Sequence, residues 1–221
     1  MRTVDHLKYL DIELVQDGKM FRYNSDTTIL GTFLEGPSIK NKTVLDIGTN
    51  NGSLLLYAHL LGAKKLIGCD LFEEALELAK INLEKHTSDF ELYKSEVQKL
   101  EIEPVDIIVC NPPYFEMNNV TEDEYFKKAM FEESLPLEDM FSNFRRLLRD
   151  NGTVYTLYPA DRFFEFYEMA KKYKMKIMKL RFVHDPKALY ALRFVAKLKI
   201  GPMTKVKIEN PIMIVDGNIQ M

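Results

Sequence analysis

The chain has 221 residues, 46% hydrophobic and 29% charged, with a formal net charge of −3; this balance suits one sizeable core, excludes a strongly basic chain and, taken alone, argues against a dedicated nucleic-acid binder. No uncharged apolar run approaches the roughly 18 residues that cross a bilayer, and the amino terminus carries no apolar leader core, so a cytoplasmic protein is expected. Cys69 and Cys110 are far apart, each inside an apolar stretch, and read as reduced, buried small hydrophobes, neither nucleophile nor metal ligand.

Residues 1–40 show no strong periodicity. The turn signal Asp17-Gly18 separates two short extended candidates, Ile12 to Val15 and Met20 to Tyr23, which predicts a hairpin or cap packed on a main domain over 41–221. Asn24-Ser25-Asp26 then opens a short helix through Leu34, its side-chain oxygens satisfying free amides of the first turn. Capping is the bland account of Asp26.

Alternating units follow. Thr43 to Ile47 predicts a strand, Gly48 to Gly52 a tight loop, Ser53 to Leu61 a helix ended by Gly62, and Lys65 to Cys69 a second strand. From Phe72 to His86 apolar residues recur at 72, 75, 76, 79 and 83, with Glu73, Glu74, Glu77, Lys80 and Glu84 on other faces, a one-sided helical stripe. Phe90 to Tyr93 and Val105 to Cys110 continue the strands. Such β-α-β-α order implies an α/β fold with a parallel sheet covered by helices. Residues 116–135 are acidic and polar, a loop with a helical part around Glu122 to Met130. Pro136 opens a helix with the stripe Leu137, Met140, Phe141, Phe144, Leu147, Leu148, stopped by Asn151-Gly152. Thr153 to Tyr158 reads as a fifth strand, Asp161 to Lys172 as a helix, and Lys176 to His184 with Tyr190 to Ile200 as an antiparallel pair at one end of the sheet.

In an open parallel sheet, ligands sit at the carboxyl ends of the strands, near the point where strand order reverses. The first strand ends in Asp46-Ile47-Gly48-Thr49-Asn50-Asn51-Gly52, the second in Asp70, the fourth in Asn111-Pro112-Pro113-Tyr114. A glycine-rich loop opening a helix permits close backbone approach and offers N–H groups to an anion; an acid 24 residues after Asp46 is placed to accept hydrogen bonds from ribose hydroxyls. Singly, Gly48 is equally a turn residue and Asp70 equally a helix cap. The tetrapeptide is more specific, because two prolines stop a strand ladder and each fixes φ, holding Asn111 and Tyr114 at a set separation.

The mean charge conceals an asymmetry. Asp70 to Asp139 holds 19 Asp/Glu against 6 Lys/Arg, whereas Lys171 to Lys207 holds 12 Lys/Arg against the single acid Asp185. That basic segment reads either as ordinary solvated faces or, the favoured reading, as a surface that docks a polyanion.

The ordered set of Asp46-x-Gly48, Asp70, Asn111-Pro112-Pro113-Tyr114 and a terminal antiparallel pair resembles the class I S-adenosylmethionine-dependent methyltransferases that act on amino groups. It implies their Rossmann-like, seven-stranded, mostly parallel sheet with helices on both faces. Within that branch, Phe21-Arg22-Tyr23-Asn24-Ser25-Asp26-Thr27-Thr28-Ile29-Leu30-Gly31 and Leu180-Arg181-Phe182-Val183 are similar to the bacterial tRNA(Val) adenine-N6-methyltransferases, which modify the adenosine 3′ of the anticodon. The resemblance implies S-adenosylmethionine as cofactor and tRNA as partner, with no metal and no obligate protein partner. Asn111 and the Pro112 carbonyl, stiffened by Pro113, would accept the hydrogens of the amine, and Tyr114 with Phe115 would stack on the base. Asp46, Gly48, Asn50 and Gly52 would hold the cofactor's methionine end, Asp70 with Leu71 its ribose, and Glu96 with Val97 its adenine, while Asn24 and Asp26 close over it. Arg181, Arg193, Lys197 and Lys199 would contact RNA.

Three positions depart from the family: Asn50 replaces a usual glycine, Glu96 a frequent Asp, and Ala129-Met130-Phe131-Glu132 a common Arg-His-Glu, with Lys127 and Lys128 as candidate substitutes. A release-factor glutamine, a DNA or rRNA base, or a non-catalytic RNA-binding role are the alternatives. The four histidines lack ligand spacing, and Phe163, Phe164, Phe166 and Tyr167 follow helical spacing, which is packing rather than a nucleic-acid platform.

Overall fold

The computed structural model describes residues 1–7, 9–114, 135–215 and 218–220. Phe115, the helical part expected around 122–130 and the 129–132 stretch lie outside them.

The amino-terminal hairpin pairs β1 (Arg2–Leu7) with β2 (Ile12–Asp17), Val4 opposite Val15. The expected partner, Met20 to Tyr23, is no strand. Sequence reading missed β1 because its two apolar residues, Val4 and Leu7, stand three apart and give no alternation. Asp17-Gly18 ends the hairpin instead, the Asp17 carboxylate accepting the Lys19 N–H at 3.0 Å. On the core, the fully buried Asn82 accepts the Val15 N–H at 2.8 Å and donates Nδ2 to the carbonyls of Val15 and Asn51, each at 2.9 Å. Next come α1 (Ser25–Phe33) and α2 (Gly36–Ile39).

The alternation is present as β3 (Thr43–Ile47), α3 (Ser53–Leu60), β4 (Lys65–Asp70), α4 (Glu73–Glu84), β5 (Phe90–Lys94) and β6 (Val105–Cys110). It continues as α5 (Leu137–Leu147), β7 (Leu148–Pro159), α6 (Phe163–Lys172), β8 (Met175–His184) and β9 (Arg193–Ile200). Three short strands close the chain: β10 (Lys207–Ile208), β11 (Ile212–Val215) and β12 (Asn218–Gln220). The sheet runs β5-β4-β3-β6-β7-β9-β8-β11-β12, with β10 also on β8. Among the described residues it therefore has ten strands rather than seven, because the carboxy-terminal segment adds β10 and β11 parallel to β8 and β12 antiparallel to β11. In the expected terminal pair, only β9 opposes its neighbours β7 and β8.

Both faces of the sheet are covered, which is why β3 and β6 are continuous apolar runs with Val44, Leu45, Ile108 and Val109 fully buried. Met140, Phe141 and Phe144 of α5 and Phe166 of α6 pack one face; Ile29, Leu30 and Phe33 of α1 and Leu54 to Leu56 of α3 pack the other. Asn151-Gly152 does not stop α5; the helix passes directly into β7, and a register shift between Val105 and Ile107 of β6 absorbs the extra residues. Strand order reverses between β3 and β6. Among the described residues no helix is long and apolar enough to cross a membrane.

Candidate active site

The chain leaving β3 must turn across the carboxyl rim to enter α3, and it does so through Gly48, Asn50 and Gly52 at φ of 73°, 48° and 78°. A Cβ on Gly48 would meet nothing within 4 Å, so glycine serves conformation there, whereas one on Gly52 would lie 3.2 Å from the Cα and Cβ of Ala79, so its smallness seats α3 on α4. Asn tolerates positive φ better than most residues, and at position 50 it adds two bonds. Its N–H donates to Asp70 Oδ2 at 2.9 Å and its Nδ2 to the Phe21 carbonyl at 2.6 Å. The loop is thus latched to β4 on one side and to the amino-terminal segment on the other.

Where the strand order reverses lies a cavity of about 390 Å³. Its walls include Gly48 and Asn50 from the loop, Asp70 and Leu71 at the end of β4, Glu96 and Val97 after β5, and Asn111, Pro112, Pro113 and Tyr114 after β6. Asn24 and Asp26 reach it from the start of α1, and Arg193 from the start of β9. Asp46 and Gly52 stand outside the lining. Phe21, Tyr23, Thr27 and Gln98 also line it and escaped the sequence reading: Phe21 and Tyr23 lie in a stretch without periodicity.

Asp46 is 1% exposed, and neither its oxygens nor the Thr49 hydroxyl makes a hydrogen bond of normal geometry. Burial pushes its carboxyl up to about 7; the nearby Thr49 hydroxyl opposes the rise and Asp70 adds to it. Asp70 is raised too, chiefly by burial, although its oxygens accept the N–H groups of Asn50 at 2.9 Å and Phe72 at 3.1 Å. Asn111 Oδ1 is buried without a hydrogen-bond partner.

Asn24 is the cap of α1, its Oδ1 accepting the Thr27 N–H at 3.1 Å. Asp26 does something else. Buried at 2% exposure, its carboxylate accepts the Tyr114 hydroxyl and pairs with Arg193 Nε at 2.9 Å, while Arg193 Nε also donates to Tyr114 Oη at 3.3 Å. Burial and the Asp26 charge hold the Tyr114 phenol well above its usual range. Three residues 88 and 79 positions apart in sequence thereby meet at one cavity wall.

Arg181, Lys197 and Lys199 do not reach the cavity. Arg181 Nε donates to the Asn210 carbonyl at 2.9 Å. Lys197 pairs with Glu35, and Lys179 bridges Glu35 at 2.6 Å and Glu209 at 3.1 Å. Lys179, Arg193 and Lys197 of the basic segment thus spend their charge inside the fold.

A family model described as a methyltransferase domain matches residues 38–201. The tRNA1(Val) (adenine(37)-N6)-methyltransferase of Flavobacterium psychrophilum is 28% identical over 75% of this chain and 73% of that protein. Its namesake in Flavobacterium johnsoniae is 23% identical over 96% of this chain and 92% of that protein. Among solved structures, the ribosomal protein L11 methylase of Lactobacillus delbrueckii subsp. bulgaricus shares the fold, with a TM-score of 0.59 at 20% identity over 84% of this chain and 83% of that chain.

Proposed function

The chain belongs to the family of methyltransferase domains, and we propose that it transfers a methyl group from S-adenosylmethionine to the exocyclic N6 of an adenosine in tRNA, the one 3′ of the anticodon. The observation that carries the reading is Asn111, whose Oδ1 is a buried acceptor without a partner at the cavity wall, with the Pro112 carbonyl next along the chain. The names of the relatives at 28% and 23% identity support the choice of acceptor.

The residues fit the cofactor. The cavity of about 390 Å³ lies in the range of small-molecule sites. The unpartnered Asp46 carboxyl suits an α-ammonium group brought near it. Asp70 gives each oxygen one backbone donor, and a carboxylate has further acceptor capacity for a pair of ribose hydroxyls. Glu96 and Val97 stand ready for the adenine. S-adenosylmethionine supplies a methyl group on a positively charged sulfur, already activated for transfer. The protein's own task is therefore alignment, not deprotonation by a strong base. Asn111 Oδ1 and the Pro112 carbonyl take the two amine hydrogens and aim the nitrogen lone pair; Tyr114 stacks on the base, its hydroxyl fixed by Asp26 and Arg193. An anticodon-loop adenosine is weakly held in its stack, so extruding it costs less than flipping a duplex base. Residues 1–40 act as a cap over the cavity and residues 41–221 as the methyltransferase domain, working on cytoplasmic tRNA.

The test is incubation of the protein with labelled S-adenosylmethionine and total tRNA, followed by nucleoside analysis. N6-methyladenosine is expected from the parent chain and its loss from Asn111→Ala, which still binds S-adenosylhomocysteine by calorimetry. Label on guanosine or on protein refutes the reading.

A further inference from the structure

The connection between β8 and β9 projects from the same rim as the cavity. Val183 and Arg193 are its last paired residues, and the Leu192 N–H closes its base on the Val183 carbonyl at 2.9 Å. Beneath it, Phe194 packs edge-on against Phe163 and Phe182 at 5.4 and 6.2 Å between ring centres, so the base of the loop is rigid. At its tip Leu189 is fully exposed and Tyr190 is 70% exposed, beside the exposed Lys187. Apolar side chains scattered singly over a surface mean little, but these are adjacent and tied to the site. Tyr190 is three residues from Arg193, which lines the cavity, so their Cα atoms are at most about 11 Å apart.

We propose that this loop is the RNA-docking element, with Tyr190 stacking on an unpaired nucleotide that flanks the target base and Lys187 meeting its phosphate. The inference rests on the proposed tRNA reading and adds to it the surface that receives the strand. The charge on either side decides the direction of the strand. Beside Phe164, another exposed aromatic among the described residues, the groove is lined by Glu138, Glu165 and Glu168 with Arg162; Lys172 and Arg162 pair with Glu138 and Glu165, so the balance there stays acidic and suits phosphate less. On the loop carrying Tyr190, Asp185 is the single acid, and its carboxylate is engaged locally by the Lys187 N–H at 2.8 Å, which leaves the exposed Lys187 ammonium to meet a phosphate.

The experiment measures binding of a fluorescent tRNA(Val) transcript by anisotropy over a salt series, with S-adenosylhomocysteine affinity, thermal midpoint and sedimentation as parallel readouts. Loss of one base–aromatic stack predicts that Tyr190→Ala weakens tRNA binding by about 5- to 150-fold, while Tyr190→Phe stays within about twofold of the parent. Lys187→Ala lowers the slope of log Kd against log salt by about one phosphate's worth. Cofactor affinity and thermal midpoint are unchanged in all three. Parent-like binding by Tyr190→Ala, while the parent still methylates tRNA, overturns this inference and leaves the proposed function standing. A parent chain that neither binds nor methylates tRNA overturns both. Loss of self-association with tRNA binding intact assigns the loop to a protein interface and likewise overturns it.

Discussion

Arg193→Met removes one charge from the Asp26–Tyr114–Arg193 trio and strands the other. Asp26 is 2% exposed, and its carboxylate would retain only the Tyr114 hydroxyl. Breaking a fully buried pair by removing one partner costs about 3–5 kcal/mol. The Arg193 side chain is 22% exposed, so water screens part of the interaction and about 2–3 kcal/mol is the better figure. For a chain of this size that lowers the thermal midpoint by about 4–12 °C. Adding Asp26→Asn removes the stranded charge, and the double variant should recover to within about 1 kcal/mol of the parent. Thermal melts followed by circular dichroism at constant pH and salt read this cycle. If the double variant melts below Arg193→Met, the two side chains are uncoupled and the argument that they jointly fix Tyr114 fails. Tyr114→Phe, which keeps the ring and removes its tether, should then slow transfer while leaving cofactor affinity intact.

Two further outcomes follow from the cofactor side. Burial raises the Asp46 carboxyl to about 7, above its unfolded value near 4, so its contribution to stability is present at low pH and is lost as pH climbs from about 4 through 7. Asp46→Asn should flatten that decline, melt higher than the parent at pH 8, and bind S-adenosylhomocysteine at least about tenfold more weakly there. The parent's affinity for it should rise with pH up to about 7, and calorimetry showing no pH dependence contradicts the role given to this carboxyl. Asn50→Gly keeps the left-handed turn but loses the 2.6 Å bond to Phe21; S-adenosylhomocysteine should leave a few-fold faster in stopped-flow, in line with one hydrogen bond of about 0.5–1.5 kcal/mol. Identical off-rates would show that the latch holds nothing.

The βα order, the glycine loop and the motif after β6 were legible because each is written in contiguous residues: an apolar run, a turn, a polar end. Asp26 was not. Its local signal is that of a helix cap, a task that Asn24 performs, and its real partners lie 88 residues or more away. Lys197 misled in the opposite sense, since a lysine in a basic strand looks solvated until Glu35 is found against it. Strand β1 was hidden because Val4 and Leu7 do not alternate, and β10 to β12 by their shortness. What sequence periodicity reports is which face is buried. What it omits is which buried polar groups meet across the fold, and here those meetings build the walls of the cavity.

The hairpin of β1 and β2 joins no strand of the large sheet; it is held by the buried Leu7 and Leu14 and by the amide of Asn82, which imitates a neighbouring strand for Val15 while gripping the Asn51 carbonyl. One side chain of fixed length therefore gauges the distance between the cap and the glycine loop. A glutamine there could offer the same donors and acceptor but one methylene further out, and could not serve both clients at once. The cap is registered to the core by a spacer rather than by a ladder, so the exposed positions of its two strands are free to diverge in sequence as long as that measure and the buried Leu7 and Leu14 are kept.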